Sequence, residues 1–324
     1  MTLFQARAIR GDTGFTMYDG GFRDVIGPDP RLRHVIDVDA HEGPVYAEDE
    51  DALYFTSLPG GHAAVIKRLA LDGTRFSLER ERLTELPAPV TAPNGMTMGH
   101  DGALLVCDQG SHERPASISR VERETSRATT VLDSWRGLPL NSPNDVVVHQ
   151  DGSVWFTDPS YGHLQGLRPP PSVGDYIYRL DPSTGTASVV ADSFDKPNGV
   201  AFSPDQSVLY VTDSGANQAP GSYHVDRPHH VLAFDVRDGR HLLNQRLVAV
   251  ITPGFPDGLK VDRHGRLYVS SFSGVQVLSP DGDLLGQINL PGAVNFTFGG
   301  ADRNLLFITT DTAIWAAVLD TQGM

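Results

Sequence analysis

The stretch Asn141-Ser-Pro-Asn-Asp-Val-Val-Val-His-Gln-Asp-Gly-Ser-Val-Trp-Phe-Thr-Asp158 holds two short apolar runs on either side of an Asp151-Gly152 pair. β-Branched and aromatic residues dominate both runs, and an Asp-Gly pair between such runs is a strong hairpin signal. The same design recurs along the chain: a first run, an Asp-rich turn, then an apolar second run ending in Ser, Thr or Asp. The six second runs are residues 53–57, 104–108, 154–158, 209–213, 267–271 and 306–310. Aligned on Tyr54, Leu105, Trp155, Tyr210, Tyr268 and Phe307, they are spaced by 51, 50, 55, 58 and 39 residues. Such a period has room for four short strands and their turns, with outer strands expected around residues 177–180, 230–234 and 276–278. Nothing reads as a long amphipathic helix. Six four-stranded units predict an all-β, six-bladed β-propeller, in which ring closure protects the sheet edges. The last interval is short and about fifty residues precede Tyr54, so a strand near residues 31–38 is expected to close the final blade. The chain, 1–324, thus reads as a single propeller domain, with residues 1–30 an extension packed on it.

Composition narrows the function. Among 324 residues, 40 are acidic and 26 basic, a net charge of −14. That balance argues against nucleic acid and anionic membrane as partners, since both need a basic face. Hydrophobic content of 40% with 20% charged residues is globular. The one cysteine, Cys107, excludes an intrachain disulfide and Cys-rich zinc or iron–sulfur sites. The first twelve residues lack the apolar core of a signal peptide, and no apolar run reaches membrane-spanning length. A soluble, cytoplasmic protein is expected. The oligomeric state is not written in the sequence.

A second column of the repeat carries the chemistry. Eleven or twelve residues before each anchor stand Glu42, Asn94, Asn144, Asn198, Asp257 and Asn295. Each opens a first run, taken as the innermost strand, so sixfold repetition brings all six side chains towards one mouth of the channel. Asn-Gly and Asp-Gly are ordinary turn pairs because they tolerate positive φ. Yet Glu42 is a poor turn residue and Asn295 is followed by Phe296, while both keep the register. Six converging oxygen-bearing side chains make a costly polar cluster unless something satisfies them. A cation is the expected occupant. With two carboxylates, four amides, no sulfur and no imidazole, the ring suits Ca²⁺, with Mn²⁺ or Mg²⁺ as alternatives, rather than zinc or copper.

The second runs end in Ser57, Asp108, Asp158, Asp213, Ser271 and Thr310. Antiparallel pairing returns these ends to the ring's face, where the three aspartates could serve as proton acceptors or simply bond local amides. Two stretches break the rhythm, residues 162–175 with three consecutive prolines and residues 214–230. Both follow a second run and are candidates to wall the ring's mouth. Within or near them, Tyr161 is expected to line the pocket, whereas Trp155 reads as core. His41, beside Glu42, reads as packing or as supporting its neighbours more readily than as substrate-facing.

These residues also carry a resemblance. Phe22-Arg-Asp-Val-Ile-Gly-Pro, Glu42-Gly-Pro-Val, Asn141 to Val148 with Trp155-Phe-Thr-Asp-Pro-Ser-Tyr161-Gly, Lys196-Pro-Asn-Gly-Val and Phe255-Pro-Asp-Gly-Leu are similar to motifs of the gluconolactonase, regucalcin (senescence marker protein) and luciferin-regenerating-enzyme family. The resemblance runs over roughly residues 20–318 and is nearest to the bacterial gluconolactonase branch. It implies a six-bladed propeller with an axial divalent metal held by Glu42, Asn198 and Asp257, with Asn144 as ligand or close neighbour. It also implies hydrolysis of a lactone, often a sugar lactone. One departure stands out: where the regucalcin branch places an arginine for its sugar lactone, this chain has Ser142.

The resulting expectation is a metal-dependent lactonase acting on a small-molecule lactone. Asp257 is the first choice to deprotonate water and Asp158 the second. Asn94, Asn144, Asn295, Tyr161 and Asp213 are the candidates to bind substrate. Two other readings stay open: a phosphotriester hydrolase using the same axial calcium, and a calcium-binding propeller without turnover. Nucleophile elbows, phosphate loops and zinc-protease motifs are absent from the sequence.

Overall fold

A computed structural model describes residues 14–58, 64–73 and 76–324. Six antiparallel blades of four principal strands follow one another, and in the first five those four strands run outward in chain order from the innermost. In blade 3, Val146–Val148 is innermost, followed by Val154–Asp158, Tyr176–Asp181 and Thr186–Ala191. The hairpin read from the sequence is present, with Val146 opposite Phe156 and Val148 opposite Val154. Its turn is closed by Gly152 N–H donating to the His149 carbonyl at 2.8 Å, and Gly152 holds the positive φ of 84°. The outer strands expected at residues 177–180, 230–234 and 276–278 lie within Tyr176–Asp181, His230–Arg237 and Gly274–Leu278. Helix is confined to short turns, including Arg23–Ile26 and Tyr161–Leu164, and no helix among the described residues is long and apolar enough to cross a membrane.

The core is itself a ring. Six apolar clusters each fill the gap between two neighbouring sheets, as face-to-face sheet packing requires. Between blades 3 and 4, for example, Trp155, Ile177 and Leu209 are wholly buried. The Trp155 ring meets Phe202 edge-on with centroids 5.6 Å apart, and its indole N–H donates to Ser153 Oγ at 2.9 Å. The sixth gap, between blades 6 and 1, draws Val35 and Ile36 from the N-terminal part of the chain.

Those two residues belong to the strand Arg31–Asp37, which pairs antiparallel with Ala313–Val318 as the outermost strand of blade 6. Both ends of the chain therefore build the last blade, as the spacing predicted. The preceding segment adds something the sequence did not announce. Phe15–Met17 pairs with Leu284–Asn289, giving blade 5 a fifth strand. On the second of these strands the fully buried Phe22 lies against Gly286, where any Cβ would collide with its ring.

Candidate functional site

The ring residues open their inner strands and meet at the axis because neighbouring strands approach there closely. The glycines that follow them explain how. A Cβ on Gly43 would strike the Asn94 carbonyl, on Gly95 that of Asn144, on Gly199 that of Asp257, and on Gly258 the Asn295 side chain. Gly95, Gly199 and Gly258 are not among the residues with positive φ. At these three positions glycine is needed for inter-blade contact rather than for a turn. A second device ties the blades. Thr56, Thr157, Thr212 and Thr309, the residues next to last in their second runs, each donate a hydroxyl across to the next blade. Their acceptors are the carbonyls of Asn94, Asn198, Asp257 and His41, at 3.2, 2.8, 3.0 and 2.6 Å. This hydroxyl column was legible in the aligned runs but carries meaning only once the strands are packed. Replacing Thr157 by valine would leave the Asn198 carbonyl without that donor, and we expect a loss of about 1–3 kcal/mol in denaturant unfolding.

The ring closes between its first and last members. Asn295 Nδ2 donates to Glu42 Oε2 at 2.7 Å, while Asn295 Oδ1 accepts from the Phe296 amide at 2.8 Å. Glu42 Oε2 also accepts from Gly43 N–H at 3.0 Å. Asn94 Oδ1 accepts from Gly95 N–H at 3.0 Å. Asn198 lies beside the carboxyl of Asp257 and the Tyr161 hydroxyl and favours the ionised form of each. Burial pushes the carboxyls of both Glu42 and Asp257 up, and Glu42 adds its own repulsion on Asp257. Glu42 is only 3% exposed, whereas Asp257 is half-buried and the more accessible of the two. Beside them, His41 Nδ1 bonds to Asp311 Oδ1 at 2.6 Å, an arrangement in keeping with a supporting role.

The donor chemistry suits a hard cation. Asn144 Oδ1 is buried without any hydrogen-bond partner, an arrangement that costs free energy unless a ligand is taken. The repulsion of Glu42 on Asp257 is relieved in the same way. Among the described residues, no three His, Cys, Asp or Glu side chains group as a metal site. A cation here would therefore depend on the amide oxygens of Asn144 and Asn198 alongside Glu42 and Asp257.

The aspartates at the ends of the second runs have a different duty. Asp158 accepts from the amides of Asn141 and Ser142 at 2.9 and 2.8 Å, and it is wholly buried. Burial pushes its carboxyl up to about 7, with the two amide donors pulling the other way. Asp108 accepts from the amides of Thr91, Ala92 and Gly110. Asp213 accepts from those of Asp195, Lys196 and Gly215. Each carboxylate thus clamps the segment that leads into the inner strand of its own blade. Ser142, in the position of the missing arginine, is fully buried, donating to the Pro159 carbonyl at 2.5 Å and accepting from Gly162 N–H at 2.8 Å.

Both long loops root at the ring. The Tyr161 hydroxyl donates to the Ser214 carbonyl at 3.2 Å, and Ser214 Oγ donates to the Pro256 carbonyl, next to Asp257, at 2.5 Å. The first loop is pinned by Arg168, which the sequence did not single out. Its guanidinium donates to the carbonyls of Asn141, Ser111, Arg114 and Leu140 at 2.7–3.3 Å.

A six-bladed propeller with an acid–amide ring at one channel mouth is the class these features define. Residues 40–312 match the SMP-30/Gluconolactonase/LRE-like region, and the chain belongs to that family. It is 31% identical to the lactonohydrolase oryL of Aspergillus oryzae, over 87% of this chain and 69% of that protein. It is 30% identical to the gluconolactonase of Zymomonas mobilis, over 80% of this chain and 75% of that one. Among solved structures, a gluconolactonase from Xanthomonas campestris superposes with a TM-score of 0.76 at 31% identity, covering 94% of both chains.

Proposed function

We propose that this protein is a divalent-metal-dependent hydrolase that opens a small lactone ring. The observation that carries the reading is the closed acid–amide ring, with Asn144 Oδ1 buried and unpartnered within it. The names of relatives similar along most of their length, gluconolactonase, lactonohydrolase and pentonolactonase, support the reaction class. Glu42, Asn144, Asn198 and Asp257 would hold Ca²⁺, or Mn²⁺ or Mg²⁺, whose charge would favour the oxyanion that develops on the lactone carbonyl.

The protein's own groups do the rest. Asp257, accessible where Glu42 is not, takes the proton of the attacking water. Amides cannot exchange protons at neutral pH, and Asp158 is engaged in clamping Asn141 and Ser142. Asn295 holds Glu42 in place. Asn94, whose Oδ1 is already bonded to its own neighbour, presents its N–H₂ group to substrate oxygens. The Tyr161 hydroxyl, donating to the Ser214 carbonyl, closes the site beside Asn198. Ring opening yields a hydroxy acid, and the proton taken from water ends on the leaving alkoxide.

The test is a panel of lactones and phosphotriesters assayed with and without chelator. We expect lactones to be turned over, activity to vanish on chelation, and Ca²⁺, Mn²⁺ or Mg²⁺ to restore it. Full lactonase activity in demonstrably metal-free protein would overturn the metal assignment. Turnover of phosphotriesters alone would overturn the substrate class.

A further inference from the structure

Three aromatic side chains stand together on the ring's face above Asp257. Phe272 is 45% exposed and Tyr223 42%, and what marks them is that they form one contiguous aromatic patch rather than standing singly. Phe255 and Phe272 meet edge-on with centroids 5.1 Å apart, and Tyr223 lies 5.4 Å from Phe272 and 6.4 Å from Phe255. Their place relative to the ring follows from the backbone. Phe255 is two residues before Asp257. Phe272 follows the strand Leu267–Ser271, whose Ser270 Oγ accepts from the Asp257 amide at 2.9 Å. Tyr223 comes from the loop 214–230, whose first residue is bonded to the Pro256 carbonyl.

The cluster is built, not incidental. Phe272 N–H donates to the Pro253 carbonyl at 3.1 Å, and its ring lies so close over Gly254 that no Cβ would fit there. The loop under Tyr223 is held by Ala216 N–H to the Pro228 carbonyl, His224 N–H to the Ala216 carbonyl, and the Arg227–Asp195 ion pair. Three rings fixed in mutual contact, one of them two residues from the proposed base, form a rigid apolar shelf continuous with the candidate site.

On the other side of the argument stands Ser142. It is fully buried and bonded within its own loop, so it offers no cation or donor to a polyhydroxylated ring. The mouth therefore has an apolar surface on the Asp257 side, and Ser142 adds no polar group to it.

We propose that the preferred substrates are lactones bearing an apolar alkyl or aryl substituent, which lies across Tyr223, Phe255 and Phe272 while the lactone carbonyl sits at the ring. The proposal rests on the lactonase reading and adds its substrate class. Each methylene laid on the shelf raises kcat/KM about threefold, up to the length of the shelf.

The experiment compares a δ-lactone carrying a seven-carbon alkyl chain with the unsubstituted δ-lactone and with gluconolactone, for the wild type, Phe272→Ala and Phe272→Leu. We expect the wild type to favour the alkyl lactone over both others at least tenfold in kcat/KM. In Phe272→Ala the ratio of alkyl to unsubstituted lactone falls by about tenfold, and Phe272→Leu keeps most of it because an apolar side chain remains. An unchanged ratio in Phe272→Ala, or a wild type that favours gluconolactone, overturns the proposal. If the wild type opens no lactone, the functional reading fails by itself, and calorimetry with the corresponding lactams judges the shelf. Tighter binding of the alkyl lactam to wild type than to Phe272→Ala supports it, and equal binding overturns it.

Discussion

Asp257→Asn should lower kcat/KM for lactone hydrolysis by about a thousandfold, within the range expected when a general base is removed. The substitution keeps the shape and the hydrogen-bonding reach of the side chain but takes away one ring charge and the proposed base. The same change should leave the fold intact. Burial and Glu42 both disfavour the ionised form of Asp257, so an amide in its place relieves repulsion in chelated protein. Melting measured in chelator should therefore stay level or rise while activity collapses. A variant retaining near-full turnover would move proton transfer elsewhere, and one that loses both activity and its melting transition would show a structural role instead.

Gly95→Ala is expected to have the largest effect on stability. Its Cβ would be driven into the Asn144 carbonyl and the Asp145 backbone, atoms of the neighbouring inner strand that cannot rotate away. Gly95 N–H also donates to that Asn144 carbonyl at 2.8 Å, so separating the strands breaks the bond. Overpacking against backbone costs about 3 kcal/mol or more, enough to lower Tm by several degrees. Because the strands that part carry Asn94 and Asn144, activity should fall before the protein unfolds. A melting curve and a rate measured on the same sample check both. A neutral alanine there would mean that adjacent blades are not packed as closely as described.

The blade count and the ring were readable because the architecture repeats. A spacing near fifty residues, recurring Asp-Gly turns and one acid or amide at a fixed place in every unit are visible without any contact being known. What escaped was whatever lacked a period or depended on packing. Phe15–Met17 is too short to announce a strand, and it joins a blade built from residues far along the chain. Asp158 was legible as a carboxylate near the ring, but its attachment to two amides depends on how residues 141–142 turn into the inner strand. The glycines after the ring residues were legible as turn formers, yet at positions 95, 199 and 258 their use is to let two backbones touch. The pairing of His41 with Asp311 spans 270 positions and leaves no local signature.

The seam where the circle shuts has a consequence for how the protein comes into being. Blade 6 takes Arg31–Asp37 from the start of the chain and its other strands from the end, and the Asn295–Glu42 bond crosses the same seam between groups 253 positions apart. The first of these segments to be synthesised must wait, unpaired, until Ala313–Val318 has left the ribosome. The candidate site is then among the last features to assemble, since two of its members face each other only when the ends meet. Chains truncated before Ala313–Val318 would leave Arg31–Asp37 without the strand it pairs with, and the sixth blade open. Activity in a cell extract would thus count only molecules that have finished closing.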